Sequence, residues 1–242
     1  NWSLRKDYGG IENLSLIPGN VGSAPIQNIG AYGIELDSVF ESCRAISLEN
    51  KKVKIFHKID CDFTYRSSVF KEKLKNKYII SRVVFKLTKK SHFLKTNYKP
   101  LKELIKIKNI PNPTIQDISN LVKEIRSSKL PDPKIIGNCG SFFKNPVISK
   151  NKLEKISSID KLIPFFKLSE EKFKIPAAWL IEKCGMKGRI EGQTGTHKEH
   201  ALVIINLGAA TGTEIYNFSQ KIKKLVLKKF NILLEEEVNI ID

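Results

Sequence analysis

The sequence predicts an α+β protein, because strand-like and helix-like segments are mixed without a regular alternation of strand and helix. Two apolar runs rich in β-branched residues, 40–56 and 78–87, are typical of strands. After Pro100 the apolar residues recur at helical spacing. No GxGxxG motif follows a predicted strand, which argues against a Rossmann dinucleotide site.

The first predicted elements form a sheet. Residues 40–56 fit two strands joined by a turn at Asn50 and Lys51, and residues 78–87 add another strand. The preceding segment, residues 10–35, is rich in glycine and other small residues. Such a segment can bring its backbone close to a ligand, but it could equally be a buried irregular connection, and composition does not decide between them.

The predicted helices follow Pro100. Thr114 and Asp117 have the spacing of an N-terminal cap. The prolines within residues 129–134 should end this helix, since proline cannot continue a helical hydrogen-bond ladder. We therefore place a boundary there, between a domain of residues 1–130 and one of residues 131–242. The apolar face of the helix consists of Ile118, Leu121, Val122 and Ile125.

The second domain is also predicted to mix helices and strands. A helix over 177–184 stops at Gly185, and a strand spans 201–207. A long helix runs from about 214 to 229, with Thr211 and Glu214 as a capping box. A final strand is predicted over residues 237–241.

The chain is strongly basic, with a net charge of +17 over 242 residues. Its 42 basic residues are 36 lysines and only 6 arginines, spread along the whole sequence. A nucleic-acid-binding protein more often clusters its charge and uses arginine for phosphate contacts, so this class is disfavoured. No apolar run is long enough to span a bilayer, and the opening residues do not resemble a signal peptide.

The cysteines and histidines do not have the spacing of a metal site. His197 and His200 could chelate a metal on a helix, but the adjacent Gly195 and Thr196 favour a loop with ordinary histidines. The cysteines are widely spaced without a CxxC pair, so we predict reduced thiols rather than a disulfide framework. They are Cys43, Cys61, Cys139 and Cys184.

The segment GNCGSFFKNP, residues 137–146, places Ser141 after two glycines and before two phenylalanines. A nucleophilic serine usually sits in a GxSxG motif with a base beside it, and the second glycine is missing here. The spacing leaves two roles open for Ser141: a proton donor, or a serine that caps a turn.

Two charged residues are further candidates for a site. Arg66, in the polar turn TYRSS, could supply a planar group with five hydrogen-bond donors in a chain that otherwise prefers lysine. Glu237 is the last acid of the EEE run and enters the final predicted strand. We expect it to be held more firmly than Glu235 and Glu236, which fit a solvated acidic turn.

Taken in order along the chain, these segments resemble the UDP-N-acetylenolpyruvoylglucosamine reductase family. The resemblance covers nearly the whole chain. Tyr98 suggests the subclass that carries a tyrosine-containing loop over the substrate. The matching segments are GIENLSLIPGNVGSAPIQNIGAYGIEL (10–36), YRSSVFK (65–71), RSSKLPDPK (126–134), GNCGSFFKNP (137–146), AAWLIEKCGMKG (177–188) and EEEV (235–238).

The resemblance implies a cytoplasmic, monomeric flavoenzyme of peptidoglycan precursor synthesis, with FAD and NADPH as cofactors and no metal, nucleic-acid or membrane partner. Residues 1–130 would be the second half of the FAD-binding region, and residues 131–242 a smaller α+β substrate-binding domain. The alternatives are a remnant that binds sugar nucleotide without flavin, or a basic nucleic-acid-binding protein.

The resemblance also implies roles for individual residues. The catalytic residues would be Arg66 and Glu237, which polarise the substrate carboxylate, and Ser141, the proton donor. Contact with the flavin is expected from Pro18, Gly19, Gln27, Asn28, Ile29, Gly30, Tyr32 and Gly33. Contact with substrate or NADPH is expected from Tyr65, Tyr98, Arg126, Lys129, Asn145 and Lys187.

The chain departs from the family pattern at three places. A preceding domain that grips the FAD pyrophosphate is expected in the family and is missing from this sequence. Asn239 stands where a basic residue often follows the Glu-Val pair. Cys139 replaces an alanine, and because the residue stays small we expect little effect.

Overall fold

The computed structural model describes residues 1–241 and has the predicted α+β architecture, with antiparallel sheets. It divides into two compact units, Asn1–Ser128 and Lys129–Asp242. Among the described residues, no helix is both long enough and apolar enough to cross a membrane.

The first unit is built on an antiparallel sheet that confirms the strands predicted over 40–56 and 78–87. Cys43 of its middle strand pairs with Phe56 on one side and with Val83 on the other. The strands of this unit are β1 (Tyr8–Gly9), β2 (Gly30–Ala31), β3 (Ile34–Glu35), β4 (Phe40–Ser47), β5 (Val53–His57), β6 (Tyr78–Phe85) and β7 (Thr88–Lys89). The sheet order is β5-β4-β6, and two smaller ladders pair β1 with β7 and β2 with β3.

The helices of the first unit are α1 (Trp2–Arg5), α2 (Lys99–Ile107) and α3 (Ile115–Lys129). The predicted cap of α3 is confirmed: Thr114 N–H donates to Asp117 Oδ2 at 2.8 Å, and Asp117 N–H donates to Thr114 Oγ1 at 3.2 Å. The predicted apolar face of α3 is buried in one cluster with Leu101 of α2. The helix ends where the prolines were expected to stop it.

The second unit packs helices against two antiparallel sheets around a single apolar core. Its strands are β8 (Gly137–Ser141), β9 (Val147–Ser149), β10 (Phe166–Lys167), β11 (Lys172–Lys174), β12 (Ile190–Glu191), β13 (Thr194–Thr196) and β14 (Val203–Asn206). Its helices are α4 (Lys150–Ile159), α5 (Ala177–Lys183) and α6 (Gly212–Phe230). The sheet orders are β12-β13-β14-β8 and β10-β11-β9.

The elements predicted for the second half are largely confirmed. The helix expected over 177–184 is α5, and the strand expected over 201–207 is β14. The helix expected over 214–229 is α6, which begins slightly earlier, at Gly212. Its capping box is present: Glu214 N–H donates to Thr211 Oγ1 at 3.2 Å, and Thr211 N–H donates to Glu214 Oε2 at 2.7 Å.

The strand predicted over residues 237–241 is wrong. The end of the chain makes one isolated bridge, between Glu236 and Phe143, and residues 239–241 are irregular. Continuing this pairing would bring the chain opposite Gly140, whose φ of +60° interrupts the extended backbone of β8. The ladder therefore stops after a few residues, although the Val-Asn-Ile-Ile sequence favours a strand.

Candidate active site

The glycine-rich segment, residues 18–33, is attached to the arginine block, residues 64–71. Side chains make the connection at several points along both segments, so the two form one structural element of the first unit. The hydrogen bonds run from Ser68 Oγ to Ile26 O (2.7 Å), from Lys71 Nζ to Gln27 Oε1 (3.3 Å), from Asn28 Nδ2 to Thr64 O (3.2 Å) and from the Arg66 guanidinium to Gly30 O.

Arg66 occupies a tight turn of the arginine block. The backbone N–H of Thr64 donates to Ser67 O, and that of Ser67 donates to Thr64 O, each at 3.1 Å. Arg66, between them, has a φ of +54°. Its guanidinium carbon lies 5.1 Å from the centre of the Tyr65 ring. A Cβ added at Gly30 would lie 2.8 Å from Arg66 Nη1 and 2.8 Å from Ile34 O, so glycine is required for this close approach.

Asn28 has a structural position within the glycine-rich segment. It is buried, and its φ is +43°. Its amide also donates to Glu35 Oε2 at 3.1 Å, and its carbonyl accepts from Asp37 N–H at 2.9 Å. The Asn28 side chain therefore holds the turn in shape, and we expect it to support a bound cofactor through the backbone rather than by direct side-chain contact.

A cavity of about 270 Å³ opens beside the glycine-rich segment. Pro18, Gly19 and Ile29, all expected to contact a flavin, line it together with Val21 and Phe85. Gly19 has a φ of +109°, which glycine tolerates and other residues rarely adopt. The walls are mainly aliphatic, with a few polar groups, as is typical of pockets that hold a planar organic cofactor. Of the eight residues expected to contact a flavin, these three line the cavity, which is compatible with a bound flavin ring; Gln27, Asn28, Gly30, Tyr32 and Gly33 do not line it.

Three residues expected to contact cofactor or substrate meet in the first unit. The Tyr32 and Tyr98 rings are 5.2 Å apart in an edge-to-face arrangement. Burial raises the pKa of Tyr32, and Arg126, which is hydrogen-bonded to the phenol, opposes that rise. Burial also raises the pKa of Tyr98, so both phenols keep their protons at neutral pH. Gly33 follows Tyr32 in the chain and has a φ of +87°. A Cβ added at Gly33 would lie 3.8 Å from Tyr98 Cβ.

Ser141 and Glu237 are brought together in the second unit. Ser141 is the last residue of β8, and Glu237 N–H donates to the carbonyl of the next residue, Phe142, at 2.8 Å. Phe143 then forms the bridge with Glu236. The buried rings of Phe142 and Phe143 anchor this connection in the core, while Ser141 is exposed. Two of the predicted catalytic residues are thus neighbours, although 95 positions separate them in the chain.

The turn-cap interpretation of Ser141 is wrong. The hydroxyl lies at the end of a strand and makes no hydrogen bond within residues 1–241. Gly140, with its φ of +60°, directs the chain into this position, and a Cβ there would meet nothing within 4 Å. The proton-donor role of Ser141 stays a prediction. Arg66, the remaining predicted catalytic residue, belongs to the first unit.

Asn145 and Lys187 lie in the second unit and serve different local purposes. Asn145 Oδ1 accepts from Ala177 N–H at 2.8 Å, which satisfies a free backbone donor at the start of α5. Lys187 is exposed and lies 3.4 Å from Glu182 Oε1. Asn145 thus couples the segment after Ser141 to α5, and Lys187 extends from the loop that follows α5.

A group of basic side chains surrounds His200. Burial lowers the pKa of His200, and the positive charges of Lys129, His197 and Lys187 lower it further. The imidazole is therefore neutral at neutral pH. His197 and His200 occupy the loop between β13 and β14, as predicted. Two lysines beside a neutral histidine suit an anionic group such as a phosphate.

The acidic run before the end of the chain contains residues that sequence reasoning missed. Glu236 was expected in a solvated turn, but its side chain is 21% exposed and lies 2.7 Å from Lys223 Nζ. Lys144 Nζ donates a hydrogen bond to Glu235 Oε2 at 3.1 Å. The signal for Glu236 was the lysine-rich α6 just upstream, which offers cationic partners to the acidic run.

Comparison with known proteins decides the family. A family model described as the C-terminal domain of UDP-N-acetylenolpyruvoylglucosamine reductase matches residues 132–241. A reductase of this name from Flavobacterium johnsoniae is 48% identical over 240 residues, which cover 99% of this chain and 71% of that protein. This chain belongs to the UDP-N-acetylenolpyruvoylglucosamine reductase family. The family resemblance inferred from the motifs is therefore confirmed.

Other members of the reductase family agree with this. The reductase from Amoebophilus asiaticus is 46% identical over 240 residues, 99% of this chain and 70% of that protein. The crystal structure of the Thermus caldophilus reductase matches the fold with a TM-score of 0.64 at 21% identity, covering 98% of this chain and 66% of that one. The chain thus spans about 70% of the length of its curated relatives and 66% of the solved reductase chain.

Proposed function

We propose that this oxidoreductase reduces the enolpyruvyl group of UDP-N-acetylenolpyruvoylglucosamine to give UDP-N-acetylmuramate, with NADPH as the reductant and FAD as the hydride carrier. Membership of the reductase family supports the substrate class. The observation that carries the proposal is the backbone pairing of the Glu235–Glu237 run with residues 142–144, which brings Glu237 to the chain directly after Ser141. Because NADPH and sugar nucleotides are cytoplasmic metabolites, we place the reaction in the cytoplasm, with the protein acting as a monomer.

The glycine-rich segment is the proposed site for the flavin. Pro18, Gly19 and Ile29 would line it along the cavity, and Gln27, Gly30, Tyr32 and Gly33 would contribute backbone and ring contacts. When bound, the flavin supplies hydride taken from NADPH. The arginine block, bonded to this segment, would fix the position of Arg66 relative to the cofactor.

The proposed role of Arg66 is to bind the carboxylate of the enolpyruvyl group. Hydride addition at the terminal carbon of the double bond leaves negative charge on the neighbouring carbon and on that carboxylate. A guanidinium can pair with a carboxylate through parallel hydrogen bonds and stabilises this charge most where water is excluded. Glu237 would share a proton with the developing enolate.

The proposed role of Ser141 is to protonate that neighbouring carbon. A serine hydroxyl is a very weak acid, so it can serve only against a strongly basic carbanion, and its proton must then be replaced from solvent. The balance is complete: the double bond gains a hydride and a proton, and NADPH becomes NADP⁺. Burial of Phe142 beneath Ser141 would hold the hydroxyl steady during the transfer.

The basic group around His200 is the proposed site for the diphosphate of the sugar nucleotide. Lys129 and Lys187 are exposed, and the positive charge of each lowers the pKa of His200. Tyr65, Tyr98, Arg126 and Asn145 are proposed to complete the contacts to substrate or NADPH. The net charge of +17 favours approach of such anions over long range.

Ser141→Ala tests the proton-donor role. We expect NADPH to bleach the bound flavin at the normal rate, since this step needs no proton from Ser141. Reoxidation by the enolpyruvyl substrate should slow by about 10²- to 10⁴-fold, the usual contribution of a positioned acid. Stopped-flow absorbance separates the two steps. Equal slowing of both would rule out a proton donor and would indicate general damage to the fold.

Flavin binding tests the proposal against a remnant that binds sugar nucleotide alone. The purified chain, incubated with FAD and desalted, should be yellow and should bleach on addition of NADPH. A colourless chain whose stability nevertheless rises with UDP-N-acetylenolpyruvoylglucosamine would favour the remnant. Salt-sensitive DNA binding without colour would favour a nucleic-acid-binding protein.

A further inference from the structure

The side chain of Glu236 is fixed to α6. Lys223 Nζ lies 2.7 Å from Glu236 Oε1, and Gln220 Nε2 donates to the same oxygen at 3.0 Å. The Lys223 and Glu236 side chains are 18% and 21% exposed, so solvent screens their attraction far less than at an open surface. We call Lys223, Gln220 and Glu236 the carboxylate clamp.

The backbone of the same segment is fixed to the chain that follows Ser141. Phe143 and Glu236 form a bridge, Glu237 N–H donates to Phe142 O at 2.8 Å, and Lys144 N–H donates to Glu235 O at 2.9 Å. Glu236 thus bridges Phe143 through its backbone pairing and contacts α6 through its side chain.

The anchor for the clamp is rigid. Ile222 and Val226 of α6 are fully buried in the core of the second unit, on either side of Lys223 in sequence. Burial opposes ionisation of Glu236, but the hydrogen bonds from Lys223 and Gln220 outweigh it and lower its pKa. The carboxylate is therefore charged at neutral pH, and the clamp stays closed.

We propose that Glu236 is a positioning residue, which fixes Glu237 beside Ser141 by tying the chain end to α6. The inference rests on the proposed function in so far as it takes Ser141 and Glu237 as groups that touch the substrate. The isolated bridge spans a single residue pair, and such short backbone pairing opens locally unless other contacts hold it. The clamp adds a side-chain constraint from a buried helix to the ion pair between Lys144 and Glu235 and the burial of Leu234.

The test compares four variants of the full chain: Glu236→Ala, Glu236→Gln, Lys223→Met and Lys224→Met. The last is the matched control, since Lys224 is exposed on the same helix and has no contact with Glu236 among the described residues. Glu236→Gln keeps an oxygen for Gln220 and Lys223 and should partly rescue the alanine variant. Thermal unfolding of each variant checks that the fold is retained.

Hydrogen exchange reads the clamp without relying on activity. The Glu237 amide should exchange at least about tenfold faster in Glu236→Ala and Lys223→Met than in the wild type or in Lys224→Met, with the β13 and β14 amides unchanged. If the flavin is reduced and reoxidised by substrate, Glu236→Ala should also lower kcat by about 10- to 100-fold, because misplaced groups lose rate. KM should stay within about threefold.

Unchanged protection of the Glu237 amide in Glu236→Ala would overturn the inference, whatever the activity. Faster exchange with unchanged kcat in an active chain would overturn it as well, because the clamp would then have no catalytic consequence. Faster exchange in a chain that never reduces the substrate would instead contradict the proposed function, while leaving the clamp itself established.

Discussion

Arg66 adopts a backbone conformation that arginine normally avoids. A left-handed φ of +54° costs about 1–2 kcal/mol for a residue with a Cβ. The hydrogen bonds of Thr64 and Ser67 and the bond from the guanidinium to Gly30 O stabilise it. Such local strain is often found where a side chain must be aimed at a ligand. Here it aims the guanidinium along the glycine-rich segment.

Gly30→Ala tests this arrangement at the level of a single methyl group. The added Cβ would meet Arg66 Nη1 and Ile34 O, each at 2.8 Å, and one of them belongs to backbone that cannot move freely. We expect a loss of about 1–3 kcal/mol in the free energy of unfolding, the usual cost of overpacking. Urea denaturation measures it.

Gly212→Ala is the matched control for this experiment. Nothing lies within 4 Å of a Cβ at this position, at the start of α6, and its φ is not in the left-handed region. Alanine should leave stability unchanged or raise it by up to about 1 kcal/mol, because it favours helix over glycine. Equal destabilisation by both substitutions would contradict the close approach of Arg66 to Gly30.

At the scale of elements, α6 links the core of the second unit to the candidate site. Its capping box sets where the helix begins, its apolar face enters the core, and its polar side holds Glu236. The helix thus connects the core of the second unit to the chain end that carries Glu237. A change at its cap should act on stability, and a change at Lys223 should act on the site.

The capping carboxylate predicts a pH dependence. Backbone and side-chain hydrogen bonds from Thr211 lower the pKa of Glu214 below its ordinary value. A carboxyl with a lowered pKa in the folded state stabilises the protein above its unfolded pKa, and this contribution disappears as the pH falls through the folded pKa. Glu214→Gln should therefore be less stable than the wild type near pH 6, and the gap should close as the pH falls below about 4.

Urea denaturation at several pH values measures this gap. Glu154→Gln, at an exposed position of α4 with no hydrogen bond to its side chain among the described residues, provides the control. Near pH 6 the loss of stability in Glu214→Gln should exceed that in Glu154→Gln. A gap for Glu214→Gln that stays constant down to pH 3 would contradict the hydrogen-bonded carboxylate.

The local patterns of this chain were readable from the sequence, and the contacts between distant segments were not. Periodicity and capping residues predicted α3, α5 and α6, because those signals lie within one element. The terminal strand failed because strand formation depends on a partner, and the φ of Gly140 removes that partner. The clamp was missed for a similar reason, since it also depends on a partner. The contact between Lys223 and Glu236 depends on how the chain turns back after α6, and the sequence pattern does not predict that turn.

At the scale of the whole molecule, the candidate site shows the same contrast: motifs identified its residues, and the fold determines which of them are neighbours. Motif resemblance named Ser141 and Glu237, and the fold places them as neighbours in the second unit. It likewise named Tyr32, Tyr98 and Arg126, which meet in the first unit. For Asn28 and Asn145, the fold adds structural hydrogen bonds that no motif could indicate. The two units thus each contribute a set of the proposed functional residues.

Product formation tests the central proposal most directly. The purified chain, supplied with FAD, NADPH and UDP-N-acetylenolpyruvoylglucosamine in deuterated water, should yield UDP-N-acetylmuramate with one solvent deuterium on the carbon that Ser141 is proposed to protonate. Mass spectrometry and NMR identify the product and the labelled position. A chain that binds FAD and is reduced by NADPH, yet leaves the enolpyruvyl double bond intact, would contradict the account.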